Sequence, residues 1–331
     1  MGFLRYILAI MVATYHCGLL IKGYHHGVVA VISFILISGY VMTLLIEKYY
    51  VNKFGLFYLD RLARLTPQFL FYSVIALFAM MYTHLGEVRL SWMNFSTCEN
   101  TTLALNFLIF TNNFYTFFGN CMLLPQSWSL VLEAFFYLTI PAILVQSLNR
   151  IRLIIALSFI VFLAGYLGYI NFDLWAYRYL PGTLYIFLVG SAIANPKKYP
   201  NHFTFIIFVI CIILFIYINV NKSIYNLTEV KEVVLGIILG IPVLMWVRRI
   251  KPKKLDNFFG NCSYGLFLNH VLFIWIMEIN NIRANPYSIL LMLIGATLLA
   301  YISFTFIEKP MLAIRRSWRT PTISPRGLTD C

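Results

Sequence analysis

Apolar residues run along this chain in blocks rather than in alternation. Stretches of about 17–25 residues recur from Phe3 onward, each long enough to cross a hydrocarbon core of about 30 Å as a helix. A closed β-barrel is the other way to satisfy backbone polar groups in lipid, and it needs alternating polar and apolar residues. The run from Phe203 to Ile218 does not alternate. The blocks therefore predict an all-α, polytopic membrane protein of about ten transmembrane helices. They fall near residues 3–21, 28–46, 67–83, 129–148, 152–170, 180–195, 203–219, 233–247, 262–282 and 287–307. The segment 103–118 is apolar but short and holds Asn106, Asn112 and Asn113, so it reads as interfacial or re-entrant.

Composition supports this picture and adds direction. Of 331 residues, 61% are hydrophobic and 11% charged, against about 25% charged in soluble domains. The net charge of +13 is distributed unevenly. With the N-terminus inside, nineteen of the 25 lysines and arginines fall on inner segments, which predicts an N-in, C-in topology. A basic surface facing anionic lipid accounts for the charge, and nucleic acid is not needed as a partner. Residues 1–310 read as the membrane domain and 311–331 as a cytoplasmic basic tail. The first apolar run has one basic residue, Arg5, and no small-residue cleavage site, so it is expected to stay as a span. The six cysteines show no metal-ligand spacing, and no metal is expected. Cys98 and Cys121 share the predicted outer loop 84–128, where a disulfide and two free thiols both remain open.

Ionisable residues inside spans are costly and become candidates for function. Here they are His16, Glu133, His270 and Glu278, with Glu308 at the inner end of the last span. Eleven helical steps separate Arg5 from His16, a rise of about 16 Å. That places Arg5 at the inner interface and His16 deep in the membrane, where an imidazole can take and return a proton. The plainer reading of His16 is a packed histidine bonded to a neighbouring helix. Arg61 and Arg64 are three apart and share a helix face. Two guanidinium groups so placed suit a phosphate-bearing ligand, or they merely anchor the loop inside. Ser129, Glu133 and Tyr137 also share a face. An aromatic interface belt explains Trp128 and Tyr137 but not Glu133. His270 reads as a packing histidine near the inner interface, close to Ser263 and Tyr264.

Together these segments resemble the acyltransferase-3 family of integral membrane acyltransferases, over nearly the whole chain. Arg5 through His16 is similar to the family's Arg/Lys–ten residues–His signature. Phe34 to Tyr40, with Ser38 and Gly39, resembles its aromatic-Ser-Gly-aromatic stretch. Arg61-x-x-Arg64-x-x-Pro67 resembles its Arg-x-x-Arg-x-x-Pro motif. Trp128-Ser129-Leu130 with Glu133, Phe136 and Tyr137 resembles its Trp-Ser-Leu-x-x-Glu-x-x-Phe-Tyr segment. Ser263-Tyr264 to His270 and Glu308-Lys309-Pro310 resemble its last two motifs. One departure is Gly2, where many members carry an acidic residue three positions before the arginine.

The resemblance implies a membrane-bound O-acyltransferase in the inner membrane of a bacterium. It would move an acyl group, usually acetyl, from cytoplasmic acetyl-CoA to a hydroxyl of an extracytoplasmic glycan such as lipopolysaccharide O-antigen. Acetyl-CoA would be a substrate, with no bound cofactor, and membrane lipid the remaining partner. His16 becomes the general base or the acyl acceptor, and Glu133 the group that orients it or binds acceptor hydroxyls. Arg5, Arg61 and Arg64 become the donor-binding set. Ser38, Trp128, Ser129, Tyr137, Tyr264, His270 and Glu308 remain further candidates. The same spans and buried charges also fit a transporter or a flippase of lipid-linked sugars, or a scaffold in a glycan-synthesis complex.

Overall fold

A computed structural model describes residues 1–85, 99–108, 122–199, 201–220 and 229–319. These residues are helical almost throughout, and their one β pairing is an isolated bridge between Ile21 and Tyr24. Among them, eight helices are long and apolar enough to cross a membrane. The predicted spans beginning at residues 3 and 180 correspond to helices of 15 residues, α1 (Gly2–His16) and a later helix, α6 (Leu180–Ala194). At about 1.5 Å per residue each reaches about 22 Å, short of a full hydrocarbon core.

Three boundaries moved for identifiable reasons. Helix α1 stops at His16, five residues before the expected end, because Gly18 takes a left-handed φ of 84°. His16 therefore closes the helix rather than lying midway along it. The third helix, α3 (Phe54–Leu85), starts thirteen residues before the apolar block and carries Arg61 and Arg64 within it. Pro67 sits inside this helix, so the chain accepts the loss of one backbone donor there. Helix α9 (Lys254–Ile279) likewise begins eight residues early. Polar residues at a helix's start dilute the hydropathy that marks a span, and so hide the start. Cys98, Cys121, Asn112 and Asn113 lie outside the described residues. A short helix, Asn100–Leu105, precedes a buried Asn106 whose side-chain oxygen accepts from the Leu123 N–H at 3.0 Å.

The centre of the bundle is α2 (His26–Leu45), which packs on α1, α6 and α8 (Val230–Val247). The α2–α6 contact is close because both sides use glycine. A Cβ on Gly39 would collide with the Phe187 carbonyl, and one on Gly190 with the Leu36 carbonyl. Small residues at helix crossings are how membrane helices gain contact when lipid is as apolar as leucine. Helix α9 packs on α1 and on α10 (Pro286–Ser303). Between these stand α4 (Trp128–Leu144), and α5 (Leu148–Tyr166) against α6. Helix α7 (Asn201–Val220) lies at the edge and exposes Phe205, Ile213 and Ile216, the face expected to meet lipid.

One end of the bundle is basic. There α11 (Lys309–Ser317) folds back on α3. Arg315 and Arg319 both reach Asp60, at 3.0 and 3.2 Å, and Arg61 pairs with the same carboxylate. Asp60 is 0% exposed. So residues 311–319 are packed against the membrane domain, and 320–331 lie outside the described residues.

Candidate active site

Two cavities lie within the bundle, one toward each end. The cavity near the basic end has a volume of about 140 Å³. Arg5 from α1, Arg61 and Arg64 from α3, and Ser38 from α2 line it. Ser129, Glu133 and Tyr137 from α4 and Tyr264 from α9 complete its wall. The second cavity, of about 480 Å³, is lined by His16, Gln126, Trp128, Tyr177, Arg178 and Glu229, among others. Val31, Ser129 and Phe267 line both, so the two cavities abut there.

The basic cavity is organised by carboxylates. Glu308, in the π-helical turn Phe304–Glu308, holds Arg64 in an ion pair. The Arg64 guanidinium also lies over the Tyr264 ring, 4.8 Å from its centre. The Tyr264 hydroxyl is anchored by donating to the Leu65 carbonyl at 2.8 Å. Arg61 is held by Asp60, whereas Arg5 takes part in no ion pair among the described residues. Glu133 accepts from the Ser38 hydroxyl at 2.8 Å and from the Tyr137 hydroxyl one turn away. Glu133 was expected to orient His16 or to bind acceptor hydroxyls. It lines the basic cavity, while His16 lines the other one.

At His16 the neighbour is another histidine. Its Nδ1 lies 2.7 Å from Nε2 of His270, with the rings nearly parallel. His270 is 0% exposed and is the hydrogen-bond partner of the first-helix histidine. Of two neutral imidazoles so joined, one donates and the other accepts.

Twelve of the residues singled out in the sequence thus gather around the two cavities or bond directly to their lining. Glu278 lines neither. Sequence reasoning missed Asp60, Gln126, Arg178 and Glu229. Arg178 pairs with Asp173 at 2.8 Å and lies over the Trp128 ring at 4.5 Å. A lone arginine or glutamate in a loop carries no local signal beyond its charge. Gln126 had one, since it stands two residues before Trp128. The Gly2 departure also finds its reason. A side chain there would collide with the Asp256 backbone on α9, and the Asp256 carboxylate accepts from the Phe3 N–H at 2.9 Å. An acid from α9 thus caps the amino end of α1 where the chain has no room for one of its own.

A helical bundle of this hydropathy, with polar cavities in its interior, is that of a multi-pass integral membrane protein. The family model described as Acyltransferase domain matches residues 1–305. The chain therefore belongs to the acyltransferase-3 family of membrane acyltransferases. An uncharacterised protein of Aquifex aeolicus (strain VF5) is similar, 29% identical over 199 residues, which is 58% of this chain and 89% of that protein. No solved structure matches.

Proposed function

We propose that the protein transfers an acyl group, acetyl foremost, from acetyl-CoA at its basic end to a hydroxyl of a glycan at the other end. The observation that carries this reading is the pair of abutting cavities, one lined by arginines and one by the bonded histidines. The lysine and arginine distribution makes the basic end cytoplasmic, where acetyl-CoA is available. Phosphates of the donor meet Arg5, which has no ion pair among the described residues, and then Arg64. The narrow basic cavity takes the acyl-thioester arm up to the junction at Ser129.

From the other cavity an acceptor hydroxyl approaches. An alcohol is a poor nucleophile until a base removes its proton. His16 Nε2 takes that proton as the hydroxyl oxygen attacks the thioester carbonyl carbon. The carbon–sulfur bond then breaks, and the CoA thiolate leaves and recovers the proton from the imidazolium. His270 holds the His16 ring in one orientation through Nδ1, the part a carboxylate plays for the histidine of a serine protease. Glu133 fixes Ser38 and Tyr137 at the donor side of the junction.

The test is acetyl transfer from radiolabelled acetyl-CoA in membranes carrying wild type or His16→Ala, with total surface glycan as acceptor. Label in glycan with wild type alone is the expected result. Equal labelling with both proteins removes His16 from the chemistry. No label with either, despite confirmed insertion and a range of glycans, overturns the reaction.

A further inference from the structure

The larger cavity contains groups that acyl transfer by itself leaves without a partner. Gln126 is 2% exposed, and its Nε2 donates to the Leu268 carbonyl at 2.5 Å. A backbone carbonyl only accepts, so this bond fixes which end of the amide is oxygen. The Oε1 so defined is buried with no hydrogen-bond partner among the described residues, and Gln126 lines the cavity. Glu229 lines the same cavity, and one of its carboxylate oxygens is likewise buried and unpartnered. Its backbone holds a left-handed φ of 75°, a conformation uncommon for a residue with a Cβ and concentrated at functional positions. Of the sixteen buried side-chain nitrogen and oxygen atoms without a partner among the described residues, these two belong to residues that line this cavity. Two of them on one cavity wall, both acceptors, call for a ligand that brings O–H or N–H donors.

Charge narrows the class. Arg178 is the one lysine or arginine lining this cavity, and Asp173 and the Trp128 ring already hold it. Burial pushes the Glu229 carboxyl up to about 7; Arg178 opposes the rise, and the neighbouring carboxyls of Asp173 and Glu232 add to it. An anionic ligand would find acidic neighbours and no unpaired cation. At about 480 Å³ the space falls within the range of small-molecule sites, about 300–1,000 Å³.

Resting on the acyl-transfer reading only for which hydroxyl reacts, we infer that this cavity binds an uncharged sugar residue whose hydroxyls donate to Gln126 Oε1 and Glu229, holding a further hydroxyl toward His16. Acceptors made acidic by phosphate or uronate are disfavoured by the same wall. Gln126 and Glu229 are thus determinants of acceptor binding, set apart from the donor side.

The experiment is saturation-transfer NMR on the purified full-length protein in detergent. The probes are the methyl glycosides of glucose, galactose and mannose, against glucose 1-phosphate and glucuronate. Binding of CoA serves as an independent control. At least one neutral glycoside is expected to receive saturation well above both anionic sugars. Gln126→Leu and Glu229→Asn should each weaken it by about fivefold, the loss expected of one hydrogen bond. Asparagine tolerates the left-handed backbone but is one methylene too short, so Glu229→Asn preserves the fold if Gln126→Leu does not. Saturation of the anionic sugars at equal strength, of no neutral glycoside, or unchanged in Glu229→Asn overturns the inference. Sugar binding without acetyl transfer would sink the acyl-transfer reading and leave this site standing. Transfer to glycan with a wild-type acceptor KM in Glu229→Asn would do the reverse.

Discussion

The two cavities are built on opposite electrostatic plans, although they meet at Ser129. Near the basic end, five arginines (Arg5, Arg61, Arg64, Arg315 and Arg319) face three carboxylates (Asp60, Glu133 and Glu308) in and around a narrow space. That leaves positive charge over for a ligand. At the other end one arginine is already paired, and the unsatisfied atoms are neutral or weakly acidic acceptors. A binding site for an anion and a binding site for a polyol need different walls. The bundle keeps their charged groups apart: Arg61 and Arg64 come from the first half of α3, whereas Arg178 ends the π-helical stretch Phe172–Arg178 and Glu229 caps the start of α8. In the proposed reaction the contrast also divides labour, with binding of the donor's charge on one side and proton transfer on the other.

The sharpest way to break this division is a pair of kinetic phenotypes. His16→Ala should lower turnover by at least about 10²-fold, the low end for a lost general base, with the donor KM unchanged. Arg5→Ala should instead raise the donor KM by about tenfold or more, as loss of one hydrogen bond to a charged group implies. Initial rates over a range of acetyl-CoA concentrations separate the two. A His16→Ala variant altered only in donor KM, or an Arg5→Ala variant altered only in turnover, would collapse the distinction between the cavities.

Next in size is a stability effect confined to the basic end. Asp60 is fully buried and compensates Arg61, Arg315 and Arg319. Removing one member of a buried ion network strands the others, at about 3–5 kcal/mol. Asp60→Ala is therefore expected to lower the detergent melting temperature markedly and to free α11 for proteolysis after its basic residues. Adding Arg315→Met should recover part of the loss. A melting temperature within about a degree of wild type would mean that the cluster is solvated and does not clamp α11.

Local periodicity made some of this legible and could not reach the rest. Arg61 and Arg64 lie on one helix face because three residues make most of a turn, a relation visible in seven letters of sequence. Gly39 was visible within the aromatic-Ser-Gly-aromatic stretch of the second span, and its role in the α2–α6 contact follows from having no Cβ. The bond between His16 and His270 spans 254 positions, and that from Ser38 to Glu133 spans 95. No pattern within a helix encodes such pairings, which arise when α1 docks on α9 and α2 on α4. Helix starts were lost for a related reason. Asp60, Arg61 and Arg64 on α3 lower the local hydropathy, and only their pairing in the fold, Asp60 with Arg61 and Arg64 with Glu308, lets the early turns of that helix be buried. Arg178 and Glu229 registered as loop charges because their meaning depends on a cavity assembled by other elements.

The smallest expected effect belongs to the opposite end and has the opposite sense to a paired carboxylate. Burial holds the Glu229 carboxyl at about 7, above the ordinary 4.5, with Asp173 and Glu232 acting in the same direction and Arg178 against it. Between those values the folded protein binds a proton that the unfolded chain does not. The stability this group contributes is complete below about pH 4.5 and lost as pH rises through about 7. Many groups titrate over that range, so the informative quantity is the difference between wild type and Glu229→Gln, which cannot ionise. The variant should melt above wild type at pH 8, by no more than a few degrees, and the gap should close by pH 5. The Asp60 cluster should give no such pH-dependent gap in the same range, since its arginines stay charged throughout. A wild-type–variant difference that is flat from pH 5 to pH 8 would mean Glu229 titrates as an ordinary surface carboxylate, and the cavity wall would then carry a full negative charge.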